Sequence, residues 1–167
     1  IHNPSETRMN LARKTLAWTL GALVWALAGV AQAQVPQYGN NINLEQARKV
    51  MAGAMAEARK MGVPMAVAIV DTAGMLVLYE RMDNTQSGSV AVSQDKAGSA
   101  AMFRRPTKVF QDVLAAGGAG TRILMLRGAN AVEGGLPVTV DGKIIGGVGV
   151  SGGSSEQDGV VAKAGLD

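Results

Sequence analysis

Four charged residues stand at the seams of one stretch, Pro64–Lys96: Asp71, Arg81, Asp83 and Lys96. The apolar run Met65–Val70 ends on Asp71, and the run Met75–Leu78 leads to Arg81-Met82-Asp83. Runs that are apolar on both faces read as strands buried against helices or a partner subunit. Charges at their ends must then reach solvent, one another or a ligand. An Arg81 guanidinium suits a bidentate hold on a carboxylate, and a desolvated Lys96 suits a general base or Schiff-base nucleophile. The competing reading is structural, with Lys96 bridged to Asp71 or Asp83 and the four charges locking strands, helix and oligomer together; such buried pairs are costly to break singly.

The elements that must position these residues follow from the spacing. Met65 to Met82 reads as a hairpin, with Gly74 supplying the turn's unusual backbone angle. A polar loop over 84–89 feeds a helix from Ser89 or Val90 to about Phe103, whose face of Val92, Ala97, Ala100 and Ala101 permits close approach to a sheet. Upstream, Leu44, Ala47, Val50, Met51, Ala54, Met55, Ala58 and Met61 recur at helical steps, with Asn43 as cap, Gln46 reaching back to it, and Gly62 and Pro64 as stops.

Downstream, Pro106 breaks the helix and Thr107 is expected to cap a shorter one over Lys108–Ala115, with Val109, Phe110, Val113 and Leu114 inward. Ile123–Leu126 reads as either helix or strand. Two strands flank Asp141-Gly142, a strong hairpin signal, and a further strand is expected near Ala129–Glu133. A last helix starts at Ser155, with Asp158 as capping-box partner and Val160, Val161 and Ala164 buried. Gly146-Gly147-x-Gly149 lies inside a strand and lacks a downstream acidic ribose contact, so it reads as a site of close approach by a helix, a subunit or a flat ligand rather than a dinucleotide loop.

The N-terminus has the form of a cleavable secretory leader. From Met9, the basic Arg13-Lys14 precedes an apolar stretch over Thr15–Val30 and an Ala31-Gln32-Ala33 site. The alternative is an uncleaved anchor, near the short end of what a span requires. Residues 1–33 are read as upstream residues plus the leader, 34–43 as a polar linker and 44–167 as one domain. The expected location is periplasmic or secreted, with no stable membrane anchor after cleavage.

Cleavage after residue 33 leaves 134 of the 167 residues, enough for one core. It removes three basic residues and one acidic residue, leaving 13 and 12 and a net charge of +1, so no nucleic-acid partner is implied. His2, Trp18 and Trp25 go too, so the remainder contains no His, Cys or Trp. That excludes Ser-His-Asp and Cys-His catalysis and zinc sites of the His/Cys type, while an all-oxygen cation site stays open.

The segments AIVDTAGMLVLYERMD, KAGSAAMF followed by Pro-Thr, and above all GGLPVTVDGKIIGGVGVSGGSSEQDGVVAKAGL resemble the GlcG/HbpS-like family of haem-binding proteins, also found as the C-terminal domain of some corrinoid adenosyltransferases. The resemblance covers Leu44–Asp167. It implies an α+β fold, a profilin-like antiparallel sheet of about five strands flanked by helices in three α/β/α layers, and a homo-oligomer. The sequence departs from the family pattern at Gly98-Ser99, where a bulky residue and a Thr are common, and at Gly159, where many members are acidic.

Three functions follow as expectations. The first is haem binding for sequestration, delivery or degradation; with no His or Cys, the axial ligand would come from Ser99, Tyr79, Met82, Met102 or Lys96. The resemblance points to a hydroxyl on the Lys96 helix, hence Ser99, and Lys96, Arg104 and Arg105 would meet the propionates. The second is an enzyme or binding protein for an oxygenated acid or diol-derived metabolite, using Asp71, Arg81, Asp83 and Lys96. The third is an oligomeric accessory protein in which those charges are purely structural.

Overall fold

Helix α1, Leu44–Met61, has the closed ends that the sequence specifies. The Asn43 side chain accepts the Gln46 N–H while Gln46 Oε1 accepts the Asn43 N–H, so two otherwise orphaned donors are satisfied. Gly62 ends the helix in a left-handed conformation at φ 68°. The computed structural model describes residues 35–167, so the leader expected over 1–33 lies outside them.

The remaining elements are β1 (Ala66–Asp71), β2 (Leu76–Arg81), α2 (Ser89–Phe103), α3 (Thr107–Ala115), a 3-10 segment (Gly118–Met125), β3 (Gly135–Val140), β4 (Lys143–Ser151) and α4 (Ser155–Ala164). The strands form one antiparallel sheet in the order β2-β1-β4-β3. Helices α1 and α4 cover one face and α2 the other, giving three α/β/α layers of an α+β fold.

Strand alternation divides the core. Val67 and Ile69 join Val148, Val150, Met51, Met55 and Val161 on the α1/α4 side, whereas Ala68 and Val70 meet Ala97 and Ala101 of α2 on the other. The α2 side is built from small residues because helix and strand nearly touch. A Cβ on Gly149 would collide with the Ser93 carbonyl and one on Gly147 with that of Ala97, so the glycine run inside β4 marks close approach of a helix.

The sheet has four strands where about five were expected. Residues 129–133 are not a strand, because their amides are claimed by side chains: Ser99 Oγ accepts the Asn130 N–H, Asn130 Oδ1 that of Val132, and Gln111 Oε1 that of Glu133. Residues 37–42 instead run beside the start of β4, with Gly39 N–H donating to Ile144 O and Ile42 N–H to Ile145 O.

Other local expectations are corrected. Thr107 does not cap α3; its Oγ1 accepts the Gly135 N–H at 3.0 Å and ties the helix to β3. Ser154 and Gln157, not Asp158, make the α4 capping box. Val109, Val113 and Val160 are exposed, and so are Met75 and Leu76, because β2 is an edge strand that α2 leaves largely uncovered. Ile123–Leu126 resolves as the end of the 3-10 segment, with only Ile123 buried.

Candidate functional site

Lys96 lies inside the protein, 1% exposed, where α2 crosses β4. Its Nζ donates to Asp158 Oδ2 at 2.7 Å and to the Val150 carbonyl at 3.1 Å. Asp158, in the first turn of α4, also accepts the Gly153 N–H through Oδ1. Burial pushes the Asp158 carboxyl above its usual range, against the opposing hydrogen bonds from Lys96 and Gly153. The pair therefore joins α2, the end of β4 and α4. Neither Asp71 nor Asp83 bridges Lys96, and an amine so enclosed meets neither a propionate nor a substrate carbonyl without opening the fold.

The other three charges also separate. Asp71 Oδ1 accepts the N–H groups of Ala73 and Met75 at 2.9 Å each, folding the hairpin turn around its own carboxylate. Arg81 and Asp83 share a shallow cleft of about 450 Å³ with Arg59 and Glu80, floored by Met55 and Met82. The four-residue pocket expected from the sequence is thus three places: the Lys96–Asp158 pair, the hairpin turn held by Asp71, and an open charged cleft on the α1 side.

A different neighbourhood gathers at the C-terminal end of α2. Ser99 is fully buried, and its Oγ accepts the Asn130 N–H at 2.9 Å. Met102, three residues on, is 42% exposed. A Cβ on Gly74 would lie 3.4 Å from Met102 Sδ, one on Gly128 3.4 Å from its Cε, and one on Gly98 3.7 Å from its Cε. Three side-chain-free stretches of backbone therefore converge on one thioether. Met75 and Leu76 continue from Gly74 on one side, Leu126 and Arg127 precede Gly128 on the other, and all four are exposed.

Arg104 and Arg105 follow directly. Arg104, left-handed at φ 56°, caps α2 and stacks over the Tyr38 ring at 5.3 Å; Arg105 lies over Phe110 at 5.6 Å. The Tyr38 hydroxyl donates to the Ala101 and Met102 carbonyls, tying residues 37–39 to the same helix end. Tyr79 packs its ring on Ala68, Val70, Ala97 and Ala101, and its hydroxyl oxygen is buried without a hydrogen-bond partner among the described residues.

Asp158 as the partner of Lys96, the Leu126-Arg127 flank and a second open cleft emerge only in the folded chain. That cleft, about 580 Å³, is lined by Asn40, Asn41, Asp141 and Lys143 among others. The Asn40-Asn41-Ile42-Asn43 run was its available signal. No signal pairs Lys96 with a residue 62 positions away.

A three-layer α+β domain with its small-residue helix packed on a glycine-bearing strand, and three glycines around the methionine at that helix's end, defines a class of small helix-covered antiparallel-sheet domains. Residues 42–167 match the family described as "Haem degrading protein HbpS-like", and the chain belongs to that family. Protein GlcG of Escherichia coli K12 is 37% identical over 110 residues, 66% of this chain and 81% of GlcG. A double mutant of Streptomyces reticuli HbpS superposes with a TM-score of 0.70 at 29% identity, covering 82% of this chain and 92% of that one. A crystal structure of a PduOC:haem complex superposes with a TM-score of 0.68 at 27% identity, covering 75% and 93%.

Proposed function

We propose that this protein binds haem or a related tetrapyrrole outside the cytoplasm, on the patch at the C-terminal end of α2, and holds, delivers or helps to break down the ligand there. The observation that carries the reading is the patch itself. Its exposed apolar residues, Met75-Leu76 and Leu126, adjoin Gly74 and Gly128, the glycines against which the Met102 side chain lies, and Arg127 makes no ion pair among the described residues. A flat apolar ring bearing carboxylates is the complement of such a surface. The donor set fits as well, since Met102 presents a thioether there. Haem, when bound, supplies the iron and its redox chemistry; the protein supplies apolar contact, a cationic partner and an axial donor. Family membership and the haem complex of a structural relative support this reading.

A difference-absorbance titration with haemin, read at the Soret band against a haem-only blank, tests it. A saturable shift of defined stoichiometry is expected, and unsaturable, detergent-sensitive drift contradicts it.

The Arg59–Arg81 cleft favours a second reading, a small carboxylate-bearing metabolite held by two guanidinium groups. Arg81→Ala abolishing binding of such an acid while leaving haem binding intact would establish it.

A further inference from the structure

We propose that Met102 is the axial ligand for haem iron in this chain, that Ser99 is a positioning residue rather than a ligand, and that the site consequently favours ferrous over ferric haem. This rests on the tetrapyrrole reading above and adds the donor atom and its consequence.

The donors of the described residues can be taken in turn. None is His or Cys. Lys96 is committed to Asp158 and Val150, the Tyr38 hydroxyl is bonded to two carbonyls, the Tyr79 oxygen is buried, and Met82 packs against the core. Ser99 Oγ is enclosed and already bonded to the Asn130 amide. Met75 and Met125 are open, at 66% and 85% exposure, but one follows the hairpin turn and the other ends a 3-10 segment. Met102 alone combines a partly exposed thioether side chain with backbone walls at Gly74, Gly98 and Gly128.

Ser99 acts on this sulfur through the loop. By accepting the Asn130 N–H, it holds the chain after the 3-10 segment against α2 and sets Gly128 beside Met102, with Leu126 and Arg127 at the rim. Arg127 is then available for a propionate. A thioether is a soft, neutral donor that suits the lower oxidation state of iron, and methionine ligation raises haem potentials.

The test uses the full chain, titrated anaerobically with ferric haemin and with dithionite-reduced haem, and followed by absorbance and near-infrared magnetic circular dichroism. Wild type is expected to bind ferrous haem about tenfold more tightly or better, equivalent to about 1.4 kcal/mol, and to show a sulfur-to-iron charge-transfer band in the ferric complex. Met102→Leu, close to isosteric, should lose both. Met102→His should convert the spectrum to an imidazole type, which separates a lost ligand from a misfolded protein. Ser99→Ala should retain the sulfur band.

An unchanged spectrum in Met102→Leu, or loss of the band in Ser99→Ala but not in Met102→Leu, overturns the proposal and leaves the tetrapyrrole reading standing. Failure of wild type to bind either haem saturably overturns both. Met102 variants that alter only the sedimentation coefficient show the patch to be a contact between copies of the chain, which also overturns it.

Discussion

Lys96 shows how a residue type that invites a catalytic reading is disarmed by its surroundings. Its ammonium is enclosed and bonded on two sides, so removing one partner strands a charge: Asp158→Ala should lower stability by about 3–5 kcal/mol, whereas a well-packed apolar replacement of both residues should recover most of it. Urea denaturation of the single and double variants reads this directly. Because burial raises the Asp158 pKa on folding, ionising it costs more in the folded protein, so the pH-dependent part of its contribution to stability is fully present below the ordinary carboxylate pKa and is lost as pH rises through the folded value, while the carboxylate's pairing with Lys96 persists. The stability difference between wild type and Asp158→Asn should therefore fall with rising pH over that window, and a difference that grows with pH contradicts the assignment. Tyr79 makes a smaller case. Its buried hydroxyl lacks a partner among the described residues, so Tyr79→Phe should be neutral or stabilising by up to about 1–3 kcal/mol, as measured by thermal unfolding. Destabilisation would reveal a bound partner for that oxygen.

At the scale of elements, much was legible from local pattern. The α1 capping box, the Gly74 turn, the span of α2 and the Asp141-Gly142 hairpin all lie within a few residues of the atoms that enforce them, so sequence order carries the information. The errors fall where a side chain is claimed by something distant. Thr107 looks like a cap but serves Gly135, Asp158 looks like a capping partner but serves Lys96, and 129–133 looks like a strand but spends its amides on Ser99, Asn130 and Gln111. Close packing of α2 on β4 was legible from the glycines and makes a sharp prediction. Gly149→Ala drives a methyl into the Ser93 carbonyl and the Ala97 backbone, and rigid neighbours on both elements make accommodation costly, so a loss of about 3 kcal/mol or more is expected. Gly142→Ala meets no neighbouring atom and acts only through its φ of 72°, so it should cost less. Comparing the two by chemical denaturation checks the packing account.

At the scale of the described domain, β2 is an edge strand and Val109, Val113, Leu124 and Met125 are exposed large apolar residues, features that mark interaction surfaces when they are contiguous. Self-association is the expected remedy, and sedimentation equilibrium should report a homo-oligomer that Val113→Glu weakens; a wild-type monomer at all concentrations contradicts this. The candidate site was only partly legible at this scale. Met102 could be named from its residue type, but the cradle around it draws on Gly74, Gly98 and Gly128, which only the fold assembles. The central claim, that a tetrapyrrole docks where these meet, is tested most directly by two-dimensional NMR of the protein titrated with diamagnetic gallium protoporphyrin. The account predicts saturable shifts confined to residues 74–76, 98–104 and 126–130. Shifts centred instead on Arg59 and Glu80–Asp83, or none at any ratio, would contradict it.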